Sequence, residues 1–181
     1  MMQVSPVFPD FIETSDLMLR FIDASDAEAM FTSCTRDAEV AQYMGWLPHA
    51  SLQATRDFIA DCVAHCKAGL RLPYIIILKA SDQLIGMLDA RLCGYTINIG
   101  YMLARPAWGQ GLMVGAIQAF TDIALHLPGV FRVEATCDID NYASARVLEK
   151  SGFRLEGKLA RHMLHPNISS EPRDCYIYAA C

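Results

Sequence analysis

The sequence predicts a fold of the α/β (α+β) class, with one mixed, mostly antiparallel central sheet flanked by helices. Three observations predict it. Strand-type and helix-type segments follow one another in the order β-α-α-β-β-β-α-β-α-β-β. Residues 74–103 read as three strands joined by short turns, an antiparallel meander. The third of these strands then leads through a long helix into another strand at 130–137, and such a crossover joins parallel neighbours. A chain of 181 residues suits a single domain, residues 1–181. Its composition, 53% apolar and 19% charged, excludes a disordered or heavily solvated chain.

Residues 17–22 form a short apolar run interrupted by Arg20 and read as a strand. Asp23-Ala24-Ser25-Asp26 follows, and Glu28 stands three residues after Ser25 as in a capping box. A short helix through Met30 and Phe31 is expected. Residues 51–67 form a second helix, with Ser51 as cap. Leu52, Phe58, Ile59, Cys62, Val63 and Cys66 recur there at helical spacing, and Gly69 ends it. Residues 74–78 are rich in β-branched side chains and start after Pro73. Ser81-Asp82-Gln83 turns the chain into a strand at 84–92, and Cys93-Gly94 turns it again into 95–103. Residues 109–127 carry an apolar helical face (Leu112, Ala116, Ala119, Phe120, Ile123, Leu127) stopped by Pro128-Gly129. A strand at 130–137 precedes a helix at 141–151, capped by Asn141 and ended by Gly152. Strands at 153–164 and 175–180 close the chain.

The N-terminus has neither a basic region nor a long apolar core, so no secretory signal is expected. No apolar run approaches the length of a membrane span. The expected compartment is the cytoplasm, where the seven cysteines stay reduced. Cys62, His65 and Cys66 stand on one helix, but Cys62 and Cys66 at i, i+4 equally describe a buried stripe, and no metal is expected. A net charge of −5 argues against a globally basic nucleic-acid binder. All of that charge lies in residues 1–104, whereas residues 105–181 are balanced.

The most informative chemistry follows Leu103. The run Ala104-Arg105-Pro106-Ala107-Trp108-Gly109-Gln110-Gly111-Leu112-Met113 leads from a strand into a helix. Glycines at 109 and 111 let main-chain N–H groups approach a ligand, and the positive end of the helix dipole favours an anion such as a pyrophosphate. It is no Walker loop, because no Gly-Lys-Ser/Thr follows. It is no dinucleotide fingerprint either, because Val114 stands where the third glycine would be.

Ile99-Gly100-Tyr101-Met102-Leu103 with Trp108-Gly109-Gln110-Gly111 resembles the acetyl-CoA-binding motif of the GNAT acetyltransferase superfamily. Arg132-Val133-Glu134-Ala135, then Asn141-Tyr142-Ala143-Ser144-Ala145-Arg146-Val147-Leu148-Glu149-Lys150-Ser151-Gly152-Phe153, resemble the next two blocks, and Glu156-Gly157 follows them. Leu17-Met18-Leu19-Arg20, Ser25-Asp26-Ala27 and Leu84-Ile85-Gly86 agree as well. The set is similar to the ribosomal-protein (RimJ/RimL-like) N-acetyltransferase branch and covers residues 12–180. It departs from the pattern at Met113, where Gly or Ala is usual, and at Gly115, where a Glu is common.

The resemblance implies a GNAT-like fold with a splayed sheet and transfer of acetyl from acetyl-CoA to a primary amine. The amine is a protein N-terminus or a small molecule. The sheet parts between 95–103 and 130–137. Main chain of Tyr101, Met102 and Leu103 would pair with the pantetheine arm, and the turn at Trp108, Gly109, Gln110, Gly111, Leu112 and Met113 would hold the pyrophosphate. Asn141 would touch the cofactor arm or serve as a plain helix cap. Main-chain N–H near Leu103 would receive the oxyanion. Many members carry a Tyr general acid where this chain has Leu148, and the RimJ/RimL-like branch is similar to this chain in having Ser144. Glu134 is the expected base, or else a structural carboxylate paired with Arg132 or Arg146; Asp89, His162 and Tyr101 are weaker candidates, and His162 and His165, in a late strand or its loop, each read as a surface or satisfied histidine rather than a base.

The N-terminal helices and the loop 165–172 should line the acceptor side, with Tyr43, Trp46 and Phe31 shaping it. Its acidity suggests an acceptor that is cationic before it loses its proton. No nucleic-acid or membrane partner is expected, and a homodimer stays open. The alternative is a catalytically weak or inactive acyl-CoA-binding module of the same fold.

Overall fold

The computed structural model describes residues 7–181. Its strands are β1 (Phe11–Glu13), β2 (Leu17–Phe21), β3 (Arg71–Leu78), β4 (Gln83–Cys93), β5 (Thr96–Leu103), β6 (Arg132–Asp138), β7 (Arg154–Met163) and β8 (Arg173–Ala180). They form one sheet in the order β1-β2-β3-β4-β5-β6-β8-β7. Neighbours run antiparallel, except that β5 and β6 are parallel. The helices are α1 (Ala27–Met30), α2 (Ala38–Ala41), α3 (Leu52–Lys67), α4 (Leu112–His126) and α5 (Tyr142–Lys150).

Period-two alternation sorts the strand side chains into two cores. Leu19, Tyr74, Ile76, Leu88 and Ile99 pack against Phe120 of α4 and Leu148 of α5. On the other face Ile75, Ile77, Met87 and Met102 pack against Met30, Ile59 and Cys62. β3 is buried on both faces, so its sequence is a continuous apolar run without alternation. Phe120 is stacked on Phe8 at 5.5 Å and meets Tyr74 edge-on at 6.1 Å.

Local chemistry explains where the elements differ from the sequence reading. The capping box is built by Asp23 and Asp26, not by Ser25 and Glu28. Asp23 Oδ1 accepts from the Ser25 N–H and Asp26 Oδ2 from the Asp23 N–H. Asp26 also takes a two-pronged bond from Arg20, which fixes the end of β2. β3 runs through Pro73, which accepts from the Ile22 N–H just past the end of β2, so the missing proline donor costs little there. β1 and α2 are additional elements, too short to show a period.

The sheet opens in its middle. β5 and β6 pair at Thr96↔Arg132, Ile97↔Val133 and Asn98↔Glu134 only. Beyond that rung β5 continues along β4 to Gly86↔Leu103, and β6 continues along β8 to Asp138↔Cys175. A Cβ on Gly86 would collide with the Met102 carbonyl oxygen, so this glycine permits a close approach of β4 to the free end of β5.

Candidate active site

Helix α4 starts at the open end of the seam. Gly109 (φ 75°) and Gly111 (φ 77°) are left-handed, a conformation that disfavours any side chain. Gly111 is the N-cap, and no side chain caps this helix. By contrast, Ser51 caps α3 and Asn141 caps α5. The first intrahelical bond runs from the Gly115 N–H to the Gly111 carbonyl at 3.2 Å. The preceding N–H groups of Leu112, Met113 and Val114 therefore have no intrahelical acceptor. Trp108 Nε1–H donates to the Leu103 carbonyl at 2.6 Å, and Gln110 Nε2 donates to the Pro106 carbonyl at 2.8 Å. Both bonds hold the turn in shape.

The two departures in this segment are accommodated. Met113 is buried in the core and points away from the turn. Gly115 borders a hollow of about 110 Å³ that it shares with residues 14–17 and 110–112, and a Cβ there would meet nothing.

Strand alternation sets what β5 offers to the seam. The Ala104 N–H bonds back to Ile85 of β4. Its alternation partners Tyr101 and Leu103 therefore turn their main-chain groups towards the opening, whereas those of Met102 turn towards β4.

The side chain of Tyr101 projects onto the α5 face. Its hydroxyl lies 2.7 Å from Ser144 Oγ, and Asn141 Oδ1 accepts from the Ser144 N–H at 3.1 Å. Burial pushes the Tyr101 phenol well above its ordinary value, which the bond from Ser144 only partly offsets. Cys137 of β6 neighbours Ser144 on the same side, and burial raises its thiol to about 11. Tyr101, Ser144 and Cys137 thus form a neutral, proton-bearing cluster beside the opening. Leu148, at the motif's usual Tyr position, is fully buried in the core.

Glu134 projects on the opposite face from Cys137, at the last paired rung. Arg132 donates to it at 2.9 Å and also holds Glu156. Asp89 lies under α3, bound by Arg71 and Arg91. His162 is exposed on β7.

The acceptor-side segments expected from the sequence come together on this second face. Asn167 donates to the carbonyls of Ala41 (2.7 Å) and Trp46 (2.8 Å), which ties the loop after β7 to the loop after α2. The Tyr43 hydroxyl donates to the Asp140 carbonyl at 3.2 Å. Trp46 lies against His49 at 5.2 Å, and Phe31 is covered by the Arg36 guanidinium at 5.7 Å. Arg105 bonds Asp37 and Glu39 and so fastens α2 to the end of β5.

Sequence reasoning missed the network at the tip of β6. Asp138 is fully buried, accepts two bonds from Arg173 and one from the Asp140 N–H, and has His165 Nε2 at 3.7 Å. The sequence signal was a Cys-Asp-x-Asp run at a strand end, which reads as a turn.

Among the described residues no group of three or more His, Cys, Asp or Glu side chains is arranged to hold a metal. No helix there is long and apolar enough to cross a membrane. All seven cysteines are free thiols.

A sheet parted between parallel strands, with an uncapped glycine-bounded helix start at the parting, offers unpaired main-chain groups to an extended, phosphate-bearing ligand. Residues 16–154 match the acetyltransferase (GNAT) domain family, and the chain belongs to that family. It is an N-acetyltransferase. It is 29% identical over 154 residues to the uncharacterized N-acetyltransferase p20 of Bacillus licheniformis, which spans 81% of this chain and 83% of that one. It superposes on an acetyltransferase of the GNAT family from Bacillus anthracis with a TM-score of 0.81 at 27% identity, covering 94% of this chain and 97% of the other. It also superposes on RimL, a ribosomal L7/L12 alpha-N-protein acetyltransferase in complex with coenzyme A. That match has a TM-score of 0.82 at 25% identity and covers 94% and 97% of the two chains.

Proposed function

We propose that this chain, as a single domain working in the cytoplasm, transfers acetyl from acetyl-CoA to a primary amine by direct attack. The amine is a protein N-terminus or a small molecule. The observation that carries the reading is the seam itself, which opens beside both the uncapped start of α4 and the Tyr101–Ser144 pair.

Acetyl-CoA supplies an activated thioester. The N–H groups of Leu112, Met113 and Val114 would hold its pyrophosphate, as they have no intrahelical acceptor. Main chain of Tyr101 would bind the pantetheine arm in place of a missing strand neighbour, the Leu103 carbonyl being taken by Trp108, and Asn141 stays chiefly a cap. The neutral amine attacks the carbonyl carbon, and the N–C bond forms. A seam-facing N–H near Leu103 would stabilise the oxyanion. As the C–S bond breaks, Ser144 donates a proton to sulfur and is reprotonated through Tyr101, which takes the replacement proton from solvent. The amine's own proton leaves on the other face, where Glu134 and the Asp138 network lie. The acidic balance of residues 1–104 supports a cationic acceptor.

The test is a titration with acetyl-CoA, then thiol release with a panel of N-terminal peptides, polyamines and amino acids. Saturable binding with release for at least one amine is expected. Absence of acetyl-CoA binding overturns the reading. Binding without release across the panel favours a carrier-binding module.

A further inference from the structure

We propose that His165, held by Asp138, takes the proton from the acceptor amine. The proposal rests on the function above and names the group that completes it.

His165 is 2% exposed, and its Nδ1 has no hydrogen-bond partner. A buried ring nitrogen left unpaired is costly, and a substrate that donates a hydrogen bond to it would relieve that cost. The other nitrogen, Nε2, faces the Asp138 carboxylate at 3.7 Å and the Cys175 thiol at 3.9 Å. Asp138 accepts only and is the nearest charge to Nε2, so its field favours the tautomer with hydrogen on Nε2, although 3.7 Å is an ion-pair and not a hydrogen-bond distance. That leaves a lone pair on Nδ1, which is what a base requires. The Tyr43 ring meets the imidazole edge-on at 6.5 Å and contributes a neutral phenol. Arg173 binds the same Asp138 and also Asp140, so the carboxylate stays ionised beside the ring.

Position supports the assignment. Cys137 and Asp138 are consecutive on β6 and point to opposite faces. The first reaches Ser144, the proposed proton donor to sulfur. The second reaches His165, on the face where residues 41–46 and 164–172 are laced together. One proton is thus delivered on the donor face and one removed on the acceptor face at the same strand tip. In the step, R–NH3+ gives its proton to Nδ1 directly or through one water and the freed amine attacks the thioester. The imidazolium, stabilised by Asp138, later returns the proton to solvent. Glu134 is the competing base, but its carboxylate is committed to Arg132 at the closed rung.

Two measurements test this. In protein labelled with 15N-histidine, His165 should show a protonated Nε2 and an unprotonated Nδ1 near neutral pH; the opposite tautomer overturns the proposal whatever the acceptor is. With an acceptor found in the panel, kcat/KM of the wild type should fall at acid pH. His165→Gln should lower kcat at least about a hundredfold, abolish that acid limb, and leave acetyl-CoA affinity within about twofold. Imidazole should partly restore His165→Ala. A His165→Gln enzyme that keeps both kcat and the acid limb, while Glu134→Gln loses them, assigns the proton to Glu134 instead. Loss of acetyl-CoA binding by the wild type would sink the function itself, and not this residue alone.

Discussion

Tyr101 and Ser144 share a 2.7 Å hydrogen bond across the line where β5 and β6 separate. It joins a strand to a helix that no backbone bond connects there. If Ser144 is the proton donor, Ser144→Ala should lower kcat by about a hundredfold with little change in the Kd of acetyl-CoA. Tyr101→Phe should cost less, because Ser144 keeps its hydroxyl and solvent can replace the relay. Tyr101 is held far above its ordinary range by burial. It therefore stays neutral through the working range, and an alkaline loss of activity should persist in Tyr101→Phe. Steady-state kinetics paired with calorimetric binding separates these effects.

Gly111 should matter to the donor far more than to the fold. Its φ of 77° strains any side chain, by about 1–2 kcal/mol. Gly111→Ala should relax by tilting the first turn of α4, with an expected tenfold or larger rise in the Kd for acetyl-CoA. The melting temperature should fall by only a few degrees. Unchanged affinity would show that this turn does not hold the phosphates.

Asp138 links stability to pH. Burial alone would raise its carboxyl, but the bonds from Arg173 and from the Asp140 N–H outweigh it and hold it below the ordinary value. The contribution is therefore fully present above the ordinary carboxylate range. It is lost as pH falls through the folded value, because the unfolded chain takes up its proton first. Asp138→Asn should lower the urea midpoint at neutral pH, and the gap to wild type should close in strong acid. A constant gap at all pH values would contradict this.

Asn167 is a latch whose removal should be felt locally. Asn167→Ala leaves the Ala41 and Trp46 carbonyls without their donor, a cost of about 2 kcal/mol. Amide exchange should speed up in residues 41–49 and 164–172 and nowhere else. The acceptor KM should rise while acetyl-CoA binding holds.

The frame of the fold was legible because its signals are local. Ile75, Ile76 and Ile77 between turn residues announce a strand, and Ser51 and Asn141 stand where the caps of α3 and α5 form. The parting of the sheet entered through motif resemblance, since no residue pattern in β5 or β6 says where pairing stops. What stayed hidden depends on long-range meetings. Tyr101 and Ser144 are 43 residues apart, and Asn167 reaches carbonyls more than 120 residues earlier in the chain. His165 gave no periodic or capping signal; only the folded chain brings it against Asp138. The capping box stands two residues before its expected place because Asp at the third position serves as well as Glu, and Asp26 there meets Arg20.

The three rungs between β5 and β6 have a mechanical meaning. Two rafts of strands, β1–β5 and β6–β8, share a spine only three residue pairs long. An extended thioester arm lying in the opening would act as a detachable ninth strand, bonded to main chain that has no peptide partner. Substrate occupancy would then stiffen the joint between the rafts and stabilise the folded chain as a whole, by about 2.7 kcal/mol at a hundredfold excess over Kd. Each departure of the carrier would unclasp it.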